Sequence, residues 1–201
     1  GNSQIFLAII KIIEDSRNVE EDTSMADVPV ILLVEDSRRF YSLFLPQLYQ
    51  ELMEQTGSLA GEGLSLHHKV LRRRARAKIL LATDMEQAQY FYKQYSKHII
   101  GLITDAGYPW KGEHNSSAGY ELIKIVKQDN HDVPIIMQSS LPENRKIAEE
   151  LNADFLDKSD SGLLKGIRAF MREKMGFGDF VFRDSEGSEV GRAKDIEEMI
   201  D

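Results

Sequence analysis

The sequence contains no cysteine, which excludes disulfide bridges and thiolate zinc sites. It is poor in positive charge: 25 Lys and Arg stand against 33 Asp and Glu, a net charge of −8. Bulk nucleic-acid binding, which leaves a basic footprint, is therefore not expected. Long apolar runs are missing as well. The longest, Ile5 to Ile13, is interrupted by Lys11 and falls far short of the roughly 20 residues of a membrane-spanning helix. No basic segment precedes that run and no small-residue cleavage site follows it, so it does not read as a signal peptide. No membrane association is expected, and the expected address is the cytoplasm. The chain opens Gly1-Asn2 without methionine and is read as a segment of something longer.

What is present has a regular order. Residues 4–14 have helical composition and are apolar nearly all round, whereas 15–27 (DSRNVEEDTSMAD) read as a polar linker. VPVILLVED (28–36), KILLATD (78–84), HIIGLITD (98–105) and VPIIMQSS (133–140) are short apolar, β-branched runs that end in polar residues, the pattern of strands buried on both faces, and ADFLDK (153–158) reads as a further short strand. Between and after them lie helical stretches at 38–54, 64–74, 85–95, 118–129, 142–152 and 161–175. Residues 106–118 read as a loop, 179–192 as a hairpin around Ser185-Glu186-Gly187, and a short helix is expected from Lys194. Alternating strands and helices imply an α/β fold, a five-stranded doubly wound parallel sheet, with an N-terminal helix and a C-terminal β-hairpin. The expected divisions are 1–27 (helix and linker), 28–175 (the sheet domain) and 176–201 (hairpin and start of a next region).

Ligands of doubly wound sheets bind outside the carboxyl ends of the strands. Those ends carry Glu35-Asp36, Thr83-Asp84, Thr104-Asp105, Ser139-Ser140 and Lys158. No glycine-rich phosphate loop follows the first strand, so no nucleotide site is expected. Three acids from the first and third strands would converge and repel one another unless a cation joined them. All-oxygen ligation with open positions suits Mg²⁺. A carboxylate beside such an ion can attack a phosphoryl donor to form an acyl phosphate, a reaction that depends mainly on positioning and charge neutralisation. The Ser139 hydroxyl and Lys158 ammonium would complete the cage. The basic run Lys69, Arg72, Arg73, Arg74, Arg76, Lys78 is read as cations at a helix end, and His67-His68 as surface residues without a metal-site spacing.

VILLVEDS, LITDAGYP, PIIMQSS and ADFLDK, in that order and on the expected strands, resemble the four signature segments of response-regulator receiver domains across roughly residues 29–175. The resemblance implies the flavodoxin-like receiver fold and a phosphoacceptor domain rather than a classical enzyme, limited to its own phosphorylation and dephosphorylation. It implies Asp105 as the phosphoacceptor, Asp36 as the main Mg²⁺ ligand with Glu35 assisting, and the backbone carbonyl of Gly107 as a further ligand. Ser139 would be the switch hydroxyl, Lys158 the conserved-type lysine, and Phe155 the aromatic that swings inward with the hydroxyl. The implied partners are a sensor histidine kinase and an output region in the same full-length chain. The sequence departs from the family in having Ser159 where proline is usual, which leaves open whether the Lys158-Ser159 bond is cis, and in insertions at 57–77 and 106–118. GFGDFVFRDSEG after the receiver is similar to large bacterial proteins with a phosphoenolpyruvate synthase-like region downstream.

Two other functions compete. A receiver-like docking or dimerisation module would never be phosphorylated, but the intact acids and Lys158 weigh against it. An aspartyl phosphatase of similar fold would place a nucleophile and an acid two residues apart on the first strand, and Val34-Glu35-Asp36-Ser37-Arg38 lacks that spacing. Residues 4–14, too apolar to stand alone in water, are expected to form a homodimer or to fold back on their own chain.

Overall fold

The computed structural model describes residues 3–58, 76–177, 180–185 and 188–193. Five strands form one parallel sheet: β1 (Val30–Val34), β2 (Lys78–Ala82), β3 (Ile99–Asp105), β6 (Ile135–Ser139) and β7 (Asp154–Asp157), in the order β2-β1-β3-β6-β7. Counting only these strands, the order is 2-1-3-4-5, the flavodoxin-like doubly wound arrangement, with its switch point between β1 and β3. All five residues of β1 are buried, because helices cover both faces and leave no side of the strand to water.

Alternation along the strands divides the core in two. Leu32, Val34, Leu80, Leu102 and Met137 face α3 (Met85–Tyr95), α4 (Ala118–Asp129) and α5 (Asn144–Glu150). Ile31, Leu33, Ile79, Ile103 and Ile136 face α2 (Arg38–Ser58) and α6 (Leu163–Glu173). The strand ends are thereby fixed from both sides, and every loop that leaves them emerges at one pole.

Four sequence expectations are corrected. The stretch 15–27 is not a linker: α1 runs unbroken over Ser3–Ala26. Ala8, Asp15, Val19 and Thr23 lie on one buried face of it, a helical spacing hidden among polar residues. Nor is the helix buried all round, since Phe6 and Ile10 are 63% and 62% exposed. Arg76 and Lys78 are not helix-end cations. Arg76 Nη2 meets Asp15 Oδ1 at 2.6 Å and Lys78 Nζ meets Asp22 Oδ2 at 2.6 Å, so both tie β2 to α1. Asp15 Oδ2 also accepts from the Ile79 backbone N–H at 2.9 Å. Strand β2 is an edge strand, and this carboxylate occupies the place of a missing neighbour's carbonyl, one way of protecting a sheet edge.

The segment 106–118 is not a plain loop. It contains the antiparallel pair β4 (Tyr108–Trp110) and β5 (Glu113–Asn115), joined by Lys111 and Gly112 at φ of 57° and 83°. Two consecutive positive φ values are those of a type I′ hairpin turn, and glycine at the second lowers its strain. The C-terminal hairpin is present as β8 (Phe180–Arg183) and β9 (Glu189–Ala193). The expected helix 64–74, the cations Lys69 to Arg74, His67-His68, the turn residues Glu186-Gly187 and the helix from Lys194 lie outside the described residues.

Candidate phosphoacceptor site

The loops after β1 and β3 bring Glu35, Asp36 and Asp105 together, with one carboxylate oxygen of each within 4.8 Å of the others. Glu35 is fully buried. Its Oε1 accepts from Ser37 N–H at 3.1 Å, and its Oε2 from Gln138 Nε2 at 3.1 Å and from Lys158 Nζ at 2.7 Å. The same ammonium reaches Asp105 Oδ2 at 2.5 Å and lies 4.3 Å from the centroid of the Phe40 ring. Asp105 Oδ1 accepts from Ala106 N–H at 2.7 Å. No cis peptide bond occurs among the described residues, so Lys158-Ser159 is trans, and Lys158 still spans both acids.

Burial pushes the Glu35 carboxyl up to about 7, with Asp105 adding to the shift and Lys158 opposing it. Burial likewise raises Asp105, against the Lys158 ammonium and with Asp36 in the same upward direction. A cation among these acids would favour their charged forms and oppose both shifts. Three oxygen donors, two of them only partly buried, suit a hard divalent cation that keeps some of its water.

Two glycines let the backbones meet here. A Cβ on Gly119, at the start of α4, would stand 2.1 Å from the Asp105 carbonyl oxygen. One on Gly107 would stand 2.9 Å from Ser116 Cα, where the hairpin returns beside the site. Ser139 ends β6, one residue beyond Gln138, which pairs with Asp105. Its Oγ accepts from Leu141 N–H at 3.1 Å and Asn144 Nδ2 at 2.9 Å. Phe155 does not enter the cluster. It is half-buried on β7, with the Arg145 guanidinium 4.8 Å from its ring centroid.

Sequence reasoning missed Gln138, Phe40 and Asn144. Gln138 carried a signal, as a polar residue inside an otherwise apolar strand. Phe40 lay unremarked within the helical stretch 38–54, and Asn144 carried no signal.

No family model matches the chain, and no curated protein is similar to it in sequence. Solved structures with a similar course of the backbone include a response regulator receiver domain protein from Clostridium thermocellum. It is 15% identical, with 74% of this chain and 95% of that chain covered and a TM-score of 0.48. The HemR receiver domain from Leptospira biflexa is 19% identical over 73% of this chain and 94% of its own, with a TM-score of 0.47. The Mn²⁺-bound response regulator Rcp1 is 20% identical over 72% and 93%, with a TM-score of 0.44. At such identities the likeness is one of fold.

Proposed function

We propose that this doubly wound domain is the receiver of a two-component system and takes a phosphoryl group on Asp105. The observation that carries this reading is the Lys158 ammonium, held between Asp105 and Glu35 at 2.5 and 2.7 Å beside three convergent carboxylates. A bare acidic cluster would repel an incoming phosphate. One with a fixed cation and a divalent ion bound beside it would attract it. Glu35, Asp36, Asp105 and the Gly107 carbonyl would hold Mg²⁺, which supplies charge neutralisation for the phosphoryl oxygens.

An Asp105 carboxylate oxygen forms the new bond to phosphorus as the bond from phosphorus to the donor breaks, and the leaving group departs with that electron pair. Lys158 stays on the acceptor side and offers its hydrogens to the phosphoryl oxygens. The donor would be the phosphohistidine of a sensor kinase, and the readout an output region in the same full-length chain. The domain would act in the cytoplasm, with no turnover beyond its own phosphorylation and dephosphorylation.

Acetyl phosphate with Mg²⁺ is expected to add one phosphoryl mass, lost in base, to the wild type and none to Asp105→Asn. Equal labelling of the two would show the wrong acceptor. An unlabelled wild type that still binds metal would favour the docking module.

The partner surface we propose is the outer face of α1. Phe6, Ile9, Ile10 and Ile13 recur at i, i+3, i+4 and i+7 and all lie exposed, a stripe of the kind that marks an interface. Lys11 and Glu14 satisfy each other at 2.6 Å, which leaves the stripe uncharged and able to pair with itself across a two-fold axis. The intact protein is expected to scatter light as a dimer at micromolar concentration, and Phe6→Asp/Ile10→Asp as a monomer. Removing the whole helix is a poorer test, because it also removes Asp15. A monomeric wild type would rule the dimer out.

A further inference from the structure

The turn after β6 holds an amide whose position constrains the switch hydroxyl. Asn144 is buried and opens α5, where Glu143 makes no side-chain cap. Its Nδ2 donates to Ser139 Oγ at 2.9 Å, and the Leu141 backbone N–H donates to the same oxygen at 3.1 Å. A serine hydroxyl has two acceptor positions and one hydrogen. Both acceptor positions are taken by N–H donors, so the group has only its hydrogen left to offer. Ser139 itself is buried and stands one residue beyond the level of Asp105 on the neighbouring strand.

Resting on the reading of Asp105 as phosphoacceptor, we propose that Asn144 is a positioning residue that fixes the Ser139 hydroxyl as a hydrogen-bond donor to the phosphoryl group. An unconstrained hydroxyl turns freely and can present a lone pair to an anion. One saturated by two donors cannot, and its orientation needs no rearrangement when negative charge arrives. The Asn144 side chain also lies near the Tyr120 hydroxyl, on α4 just beyond the inserted hairpin. The amide thus links the helix behind the acceptor loop to the hydroxyl that senses it.

Asn144→Asp keeps the shape but replaces the donating amide with an acceptor, to which the Ser139 hydroxyl would turn. Labelling by acetyl phosphate is expected to slow about tenfold, the scale of one hydrogen bond to a charged group. Mn²⁺ affinity, followed by Trp110 fluorescence, is expected to change less than about twofold. In a Ser139→Ala background the same substitution is expected to leave the labelling rate nearly unchanged, because its route of action is gone. Should Asn144→Asp not fold, as judged by circular dichroism, Asn144→Ala serves, with a smaller slowing and the same dependence on Ser139. An unchanged rate, or equal slowing with and without Ser139, overturns the positioning role while Asp105 labelling stands. A wild type that is never labelled overturns both.

Discussion

Asp15→Ala is expected to destabilise the folded protein by about 3–5 kcal/mol, the usual result of removing one partner from a buried ion pair. Asp15 is fully buried. Its oxygens accept from Tyr49 Oη at 2.8 Å, Arg76 Nη1 and Nη2 at 3.0 and 2.6 Å, and Ile79 N–H at 2.9 Å. Alanine leaves the guanidinium, only 7% exposed, with just the half-exposed Glu14 at 3.8 Å as counter-charge, and leaves the edge-strand N–H without an acceptor. At about 2–4 °C per kcal/mol for a chain of this size, the melting temperature is expected to fall by on the order of 10 °C. The Ile79 amide is expected to lose its hydrogen-exchange protection first, because α1 is the element that undocks. The double variant Asp15→Leu/Arg76→Met removes both charges and is expected to recover most of the loss. A fall below about 1 kcal/mol in Asp15→Ala would mean that α1 is not held by this pair.

That network also shows where a reading of the sequence stops. Most of the sheet strands were legible because a strand buried on both faces reads as an apolar run, as VILLV does and KILLA does after its lysine, whereas β7, DFLD, is mixed and only partly buried. Glu35, Asp36, Asp105 and Lys158 were legible for a related reason, since fold topology alone puts strand ends together. Asp15 and Asp22 were not. Each looks like one more acid in a polar stretch, and the cations that pair with them lie across the fold, Lys78 on β2 and Arg76 just before it, in Asp15's case 61 residues away. The inserted hairpin left a fainter trace in Gly112, a residue that tolerates the positive φ it adopts here but that reads in sequence as loop composition. Asn144 left none. Its role depends on a side chain reaching back five residues to one oxygen, a contact that neither periodicity nor turn chemistry encodes.

Without divalent metal, the protein is expected to become less stable as the pH rises from about 4.5 to 7. The group responsible is Glu35, fully buried and raised from 4.5 to about 7, first by burial and then by Asp105, with Lys158 opposing. Because the folded pKa lies above the unfolded one, the folded state keeps a proton that the unfolded chain has already released. That contribution is complete below about pH 4.5 and is lost as the pH passes through about 7. At 1.36 kcal/mol per unit it amounts to about 3 kcal/mol. The upward shift of Asp105 acts with the same sign. Mg²⁺ reverses the balance, since its carboxylate ligands bind it deprotonated, so its stabilising effect is expected to grow from pH 5 to 7.5. Glu14, whose carboxyl is lowered because Lys11 and Arg76 outweigh its partial burial, works in the opposite direction at acid pH. Glu35→Gln separates the two, and should flatten the metal-free profile between pH 5 and 7 while leaving the acid limb in place. Thermal melts in EDTA and in Mg²⁺ across this range give the result directly. A metal-free melting temperature that stays level or rises from pH 5 to 7 would show that Glu35 is ionised throughout, held so by Lys158.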